Sequence, residues 1–118
     1  DTSGVYYTQA PGFASDVAPM LRQKAIVAVG MDAPFIDPVN PGQIDGNAPP
    51  PAGTPPGLPF FNHHYLLTQA GIHLVEDVRL SKMAADKTWL SCTMILPLLE
   101  RGGSGSAIRP VAYGPPAR

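Results

Sequence analysis

Residues 34–59 carry nine of the chain's fifteen prolines and four of its twelve glycines, and this density constrains the fold more than any other feature. Proline lacks an amide donor and fixes φ, so the segment forms neither a helix nor an interior strand. The expectation is an extended, polyproline-like insert lying on the surface, reaching a neighbouring subunit or lidding a pocket. Regular structure is therefore confined to the flanks, residues 1–33 and 60–118.

Those flanks are ordered in character. Hydrophobic residues make up 44% of the chain and charged residues 14%, with a formal charge of −1. This balance argues against disorder, and it lacks the basic face that nucleic acid or an anionic membrane requires. No apolar run approaches the ~18 residues of a membrane span. A single cysteine, Cys92, excludes an internal disulfide and CxxC metal motifs. The expected compartment is cytoplasmic. At 118 residues the chain is one domain at most.

Periodicity places the elements of an α/β protein. Phe13–Lys24 reads as a helix with Val17, Leu21 and Met20 facing a core, Ser15 or Asp16 as its cap, and Pro19 near its start. Ala25–Val29 is a continuous apolar run, as in a strand covered on both faces. Asp32 and Asp37 follow in the loop. Asn62 caps a helix over His63–Gln69, closed by Gly71. Ile72–Val75 is a strand, Leu80–Ala85 a helical turn and Thr88–Leu96 a longer strand stopped by Pro97. Gly102, Gly103 and Gly105 loosen the loop before a last strand, Ala107–Tyr113, whose Pro110 places it at a sheet edge.

His64 and Glu76 stand twelve positions apart across the helix, the Gly71 turn and the strand. The helix advances about 8 Å between 64 and 69, and the strand returns about 13 Å between 72 and 76. Imidazole and carboxylate are both ligands for a divalent ion, and the spacing permits one shared site. The competing role for Glu76 is an ion pair with Arg79 or Lys82. His63 points about 100° away from His64 on a helix and reads as a hydrogen-bonded neighbour. His73 reads as structural, Asp77 as solvated, Cys92 as a buried inert thiol and Arg109 as an ion-pair partner or a carboxylate clamp. GGSGS lacks the GK[ST] ending of a phosphate loop. No Ser-His-Asp or Cys-His set is defensible, so no catalytic residue is assigned.

The strings GIHLVEDVRL, TMILPL and GGSGSAIRPVA, preceded by YYTQAPGFASDVAPMLRQKAIVAVGMDAPFID, resemble the C-terminal half of the cyclase-family hydrolases. That family includes bacterial kynurenine formamidases, manganese-dependent isatin hydrolases and some lactone hydrolases. The resemblance implies a mixed β/α barrel-like (swivelling β/β/α) fold, of which residues 1–118 supply one partial domain with the insert at 34–59. It implies metal-dependent hydrolysis of a cyclic or aryl amide, with His64 and Glu76 as metal ligands and zinc or manganese as the ion. A small-molecule substrate and a homo-oligomer are the expected partners.

The family's HxGTHxDxPxH motif does not occur in this sequence, which opens at Asp1 without an initiator Met. The expectation is therefore a C-terminal portion, completed by an N-terminal half or a partner chain carrying that motif, and inactive as an isolated fragment. The alternatives are a non-catalytic truncated or oligomerisation module, and a lactone hydrolase of the same family.

Overall fold

The computed structural model describes residues 4–115. The chain divides into two compact units, Asp1–Val78 and Arg79–Arg118.

The first unit opens with α1 (Val5–Thr8) and α2 (Val17–Gln23), followed by β1 (Ala28–Gly30). After the proline-rich stretch come α3 (Phe61–His64), a π-helical segment (Tyr65–Ala70) and β2 (His73–Val75). β1 and β2 pair in parallel, with Ala28 opposite His73, Val29 opposite Leu74 and Gly30 opposite Val75. Parallel strands need a crossover of a dozen residues or more; here it is everything between Gly30 and His73. Ala18 of α2, Leu66 of the π segment and Ile72 form the buried core, flanked by Leu21, Ile26, Val29 and Leu74. Fully burying a side chain such as Leu66 contributes about 1.5–3 kcal/mol.

α2 is shorter than its apolar period predicts. Pro19 falls at its third position, where the missing amide costs no intrahelical bond. Asp16 holds the cap position without a side-chain cap bond, and the Ser15 hydroxyl instead donates to the Gly53 carbonyl at 3.1 Å. The strand also starts later than expected. Ala25 adopts φ 53°, closing the helix, and Val27 is 76% exposed, so the run is not covered on both faces.

The proline-rich stretch holds neither helix nor strand, but it is not a surface arm throughout. Pro34, Ile36, Asp37 and Val39 are buried, Ile36 completely. Residues 10–13 run against this segment: the Phe13 amide donates to the Ile36 carbonyl at 2.9 Å and the Val39 amide to the Ala10 carbonyl at 3.1 Å. Gly12 makes that approach possible, since a Cβ there would lie 2.1 Å from the Pro38 nitrogen. Beyond Val39 the chain is turn-rich rather than extended, with the Asn47 and Gly46 amides bonded back to the Gly42 and Gln43 carbonyls.

In the second unit, α4 (Ser81–Ala85) precedes an antiparallel pair, β3 (Cys92–Met94) with β4 (Val111–Tyr113). A bridge between Pro97 and Ile108 extends the pair, and Pro110 lies just before β4, consistent with an edge position. Both strands are exposed along their length. Cys92 is consequently an exposed free thiol rather than a buried one. Within the GGSGS loop, Ser106 Oγ accepts the Leu98 amide at 3.1 Å. The described residues are thus mixed α/β with two-stranded sheets and no closed barrel, and no described helix is long and apolar enough to cross a membrane.

Candidate functional site

Three segments of the first unit converge on one imidazole. The His63 Nδ1 lies 2.7 Å from Asp37 Oδ2, and its Nε2 lies 3.1 Å from Glu76 Oε1. Asp37 comes from the buried loop, His63 from α3 and Glu76 from the residue after β2. Each carboxylate is fixed by backbone as well. Asp37 accepts the Asn62 amide on Oδ1 at 2.7 Å and the His63 amide on Oδ2 at 3.0 Å, while Glu76 Oε1 accepts the Ile36 amide at 2.7 Å.

These bonds explain why α3 starts where it does. A short helix leaves its first amides without intrahelical partners, and Asp37, 25 residues upstream of Asn62, supplies the acceptors. Asn62 is therefore not the cap that its position suggests: it lies inside α3, buried, and its Nδ2 donates to the Phe13 carbonyl at 2.8 Å.

Asp37 is 3% exposed, and a buried carboxylate is tolerated only when paired and hydrogen-bonded. His63 meets that need. Bonds to Asp37 and then Glu76 outweigh the opposing effect of burial and raise the His63 pKa to about 9, so the ring is an imidazolium at neutral pH with both nitrogens donating. Next to Glu76, Asp77 accepts a hydrogen bond from the Tyr6 hydroxyl, which pushes that phenol up to about 12. Asp77 is therefore engaged, not merely solvated, and its φ of 56° turns the backbone away from the strand.

The histidine brought to Glu76 is His63. His64, selected by the twelve-residue spacing, is exposed, and its Nε2 lies 3.3 Å from Gln69 Nε2. The wide turn of the π segment beginning at Tyr65 replaces the regular helix that the spacing argument assumed. Within the second unit, Arg79 Nε lies 3.5 Å from Ser81 Oγ, and Lys82 bonds Asp86 at 2.6 Å. His73 is exposed on β2, and Arg109 is exposed without an ion pair among the described residues. The sequence places Asp37 only in the loop after the first strand, between the apolar residues Ile36 and Pro38.

The donor set does not form a metal site as arranged. Both His63 nitrogens are committed to carboxylates, so the ring offers no lone pair to an ion. Among the described residues, no three His, Cys, Asp or Glu groups come together in a geometry that could hold one.

Over 101 residues the chain is 29% identical to kynurenine formamidase from Bacillus cereus (strain ATCC 10987 / NRS 248) and from Bacillus thuringiensis (strain Al Hakam). The matches cover 86% of this chain and 39% of each relative, so the chain spans well under half the length of the curated relatives it matches. No protein-family model and no solved structure matches it.

Proposed function

We propose that this chain is part of an amide hydrolase of the kynurenine-formamidase kind, and that Asp37, His63 and Glu76 are its share of the active site. The single observation behind this reading is the His63 bridge between two carboxylates, in a chain similar over 101 residues to those enzymes. The barrel-like architecture of the cyclase family is part of the same proposal, with the β1–β2 pair as a piece of its sheet.

In this reading Glu76 is the group that faces substrate. One of its oxygens, Oε1, is held by the Ile36 amide and His63, so the carboxylate cannot rotate freely and Oε2 is presented in a fixed direction. Asp37 and His63 are positioning residues: Asp37 orients the ring and the ring orients Glu76, the arrangement by which outer groups fix a reacting carboxylate. Zinc or manganese, implied by the family resemblance, does not fit the residues as they stand. An ion shared by His64 and Glu76 is a separate proposal, resting on their twelve-residue spacing, and it requires His64 to leave Gln69.

The test is a chimera in which this chain replaces the matched 39% of the Bacillus cereus enzyme, assayed with N-formylkynurenine. Turnover that is lost in the Glu76→Gln variant supports the reading. A folded chimera without turnover, or one that Glu76→Gln leaves fully active, would overturn it.

A further inference from the structure

A cavity of about 260 Å³ opens in the first unit, where the residues leading into α2 meet the turn-rich stretch. Phe13, Pro38 and Phe61 give it apolar walls, and Asp16, Asp37 and Asn62 line it as well. Residues 52–54 complete the lining, and the Ser15 hydroxyl ties them down through its 3.1 Å bond to the Gly53 carbonyl. The volume falls just below the roughly 300–1,000 Å³ of sites for drug-sized ligands. It suits a molecule of one ring.

The amide of Asn62 is only half used. Its Nδ2 donates to the Phe13 carbonyl at 2.8 Å, whereas Oδ1 is buried and accepts nothing among the described residues. An acceptor shut away from water without a donor is costly, and a ligand that supplies one recovers that cost. The other polar groups at hand are acceptors too: the Phe13 and Gly53 carbonyls and two carboxylates. No Lys, Arg or His stands among the described lining residues. The amide of Val17, the first of α2, is taken by the Ala14 carbonyl at 3.1 Å. The lining therefore offers an anion nothing. Asp37 is matched by His63, but Asp16 is exposed and has no ion pair among the described residues. Asp16 is the charge left over for a ligand.

We propose that this cavity binds a small primary ammonium carried on one aromatic ring. The ammonium donates an N–H to Asn62 Oδ1 and turns its charge toward Asp16, while its ring lies against Phe13 and Phe61. Ring faces attract a cation directly as well. Because Oδ1 is closed to water, the donor reaches it as the cavity widens at Gly53, an exposed residue held there by the single Ser15 bond. Loss of the N–H weakens binding about tenfold, the scale of one hydrogen bond to a buried acceptor. Loss of the Asp16 charge weakens it about threefold, the scale of an exposed ion pair. The site is independent of the hydrolase reading, which places substrate at Glu76.

The experiment is an NMR titration of the 118-residue chain at pH 7 with benzylamine, benzyl alcohol, benzyltrimethylammonium and benzoate. It is read at the backbone amides of residues 14–16 and 52–54 and at the side-chain amide of Asn62. The expected result is a saturable shift with benzylamine, about tenfold weaker binding of benzyltrimethylammonium, and no shift with benzoate. Asp16→Asn, at an exposed position, is expected to weaken benzylamine about threefold and to leave benzyl alcohol unchanged. No saturable shift with benzylamine, shifts confined to His63 and Glu76, or benzoate binding as tight as benzylamine would each overturn the proposal. So would benzylamine binding that Asp16→Asn leaves untouched. Activity of the chimera bears on none of these readings, so the site and the hydrolase stand or fall separately.

Discussion

His63 Nδ1 sits 2.7 Å from the Oδ2 of Asp37, and the same carboxylate accepts the first amides of the helix that carries His63. Asp37 thus both starts α3 and sets the ring at its end. Asp37→Asn removes the charge from three hydrogen bonds at a site 3% exposed. The expected loss of stability is about 2–3 kcal/mol, measured by urea unfolding. His63→Gln, which keeps a donor but leaves the buried Asp37 without its counter-charge, is expected to cost a comparable amount.

The same contacts make stability depend on pH. His63 is raised from 6.5 to about 9 in the folded chain by Asp37 and Glu76. A raised folded pKa contributes stability that is complete below 6.5 and lost as pH rises through 9. Thermal unfolding of the chain should therefore shift downward between pH 6.5 and 9, and the His63→Gln variant should lose that slope. An unchanged slope in the variant would place the titrating group elsewhere.

Gly12 and Gly46 test close approach against backbone conformation. Gly12→Ala forces a Cβ to 2.1 Å from the Pro38 nitrogen, so residues 10–13 must move off the segment bearing Asp37. The expected cost is at least about 3 kcal/mol, with loss of the His63–Asp37 contact. Gly46 has open space but φ +73°, and Gly46→Ala is expected to cost only about 1–2 kcal/mol. Chemical denaturation of the two variants checks the order.

The apolar patterns of residues 13–29 and 62–75 made α2, β1, α3 and β2 legible, whereas α1 was not expected. Gly71 does close the helical stretch, at φ 67°. What the sequence left hidden was long-range. Nothing local marks Asp37 as the acceptor for amides 25 residues away, or Gly12 as the point where two segments touch. The proline-rich stretch misled for a related reason. Its lack of amide donors correctly excludes helix and interior strand, but says nothing of burial, which Ile36 and Val39 decide. The His64–Glu76 pairing assumed a regular helix, and the π turn that begins at Tyr65 has no recognised signature in a single sequence.

Leu66→Ala, at a side chain with no exposure, is expected to destabilise the chain by about 2–5 kcal/mol. Leu99→Ala, at a fully exposed position, is expected to stay within about 0.5 kcal/mol of wild type. Calorimetry of both variants gives the comparison.

The isolated chain is expected to show neither hydrolysis of N-formylkynurenine nor saturable zinc or manganese binding, since the His63 nitrogens are held by the Asp37 and Glu76 carboxylates. His64→Ala should change neither result. Isothermal titration with each metal and an assay against the metal-only background decide this. Tight binding lost in His64→Ala would favour the His64–Glu76 site instead.

The histidine held between the two acids defines the site. A long-range nitrogen–proton NMR spectrum of the chain at pH 7.5 reads this directly. Both His63 ring nitrogens are expected to be protonated, with a titration near 9 that falls toward 6.5 in Asp37→Asn. A neutral His63 that titrates near 6.5 in the wild-type chain would contradict it.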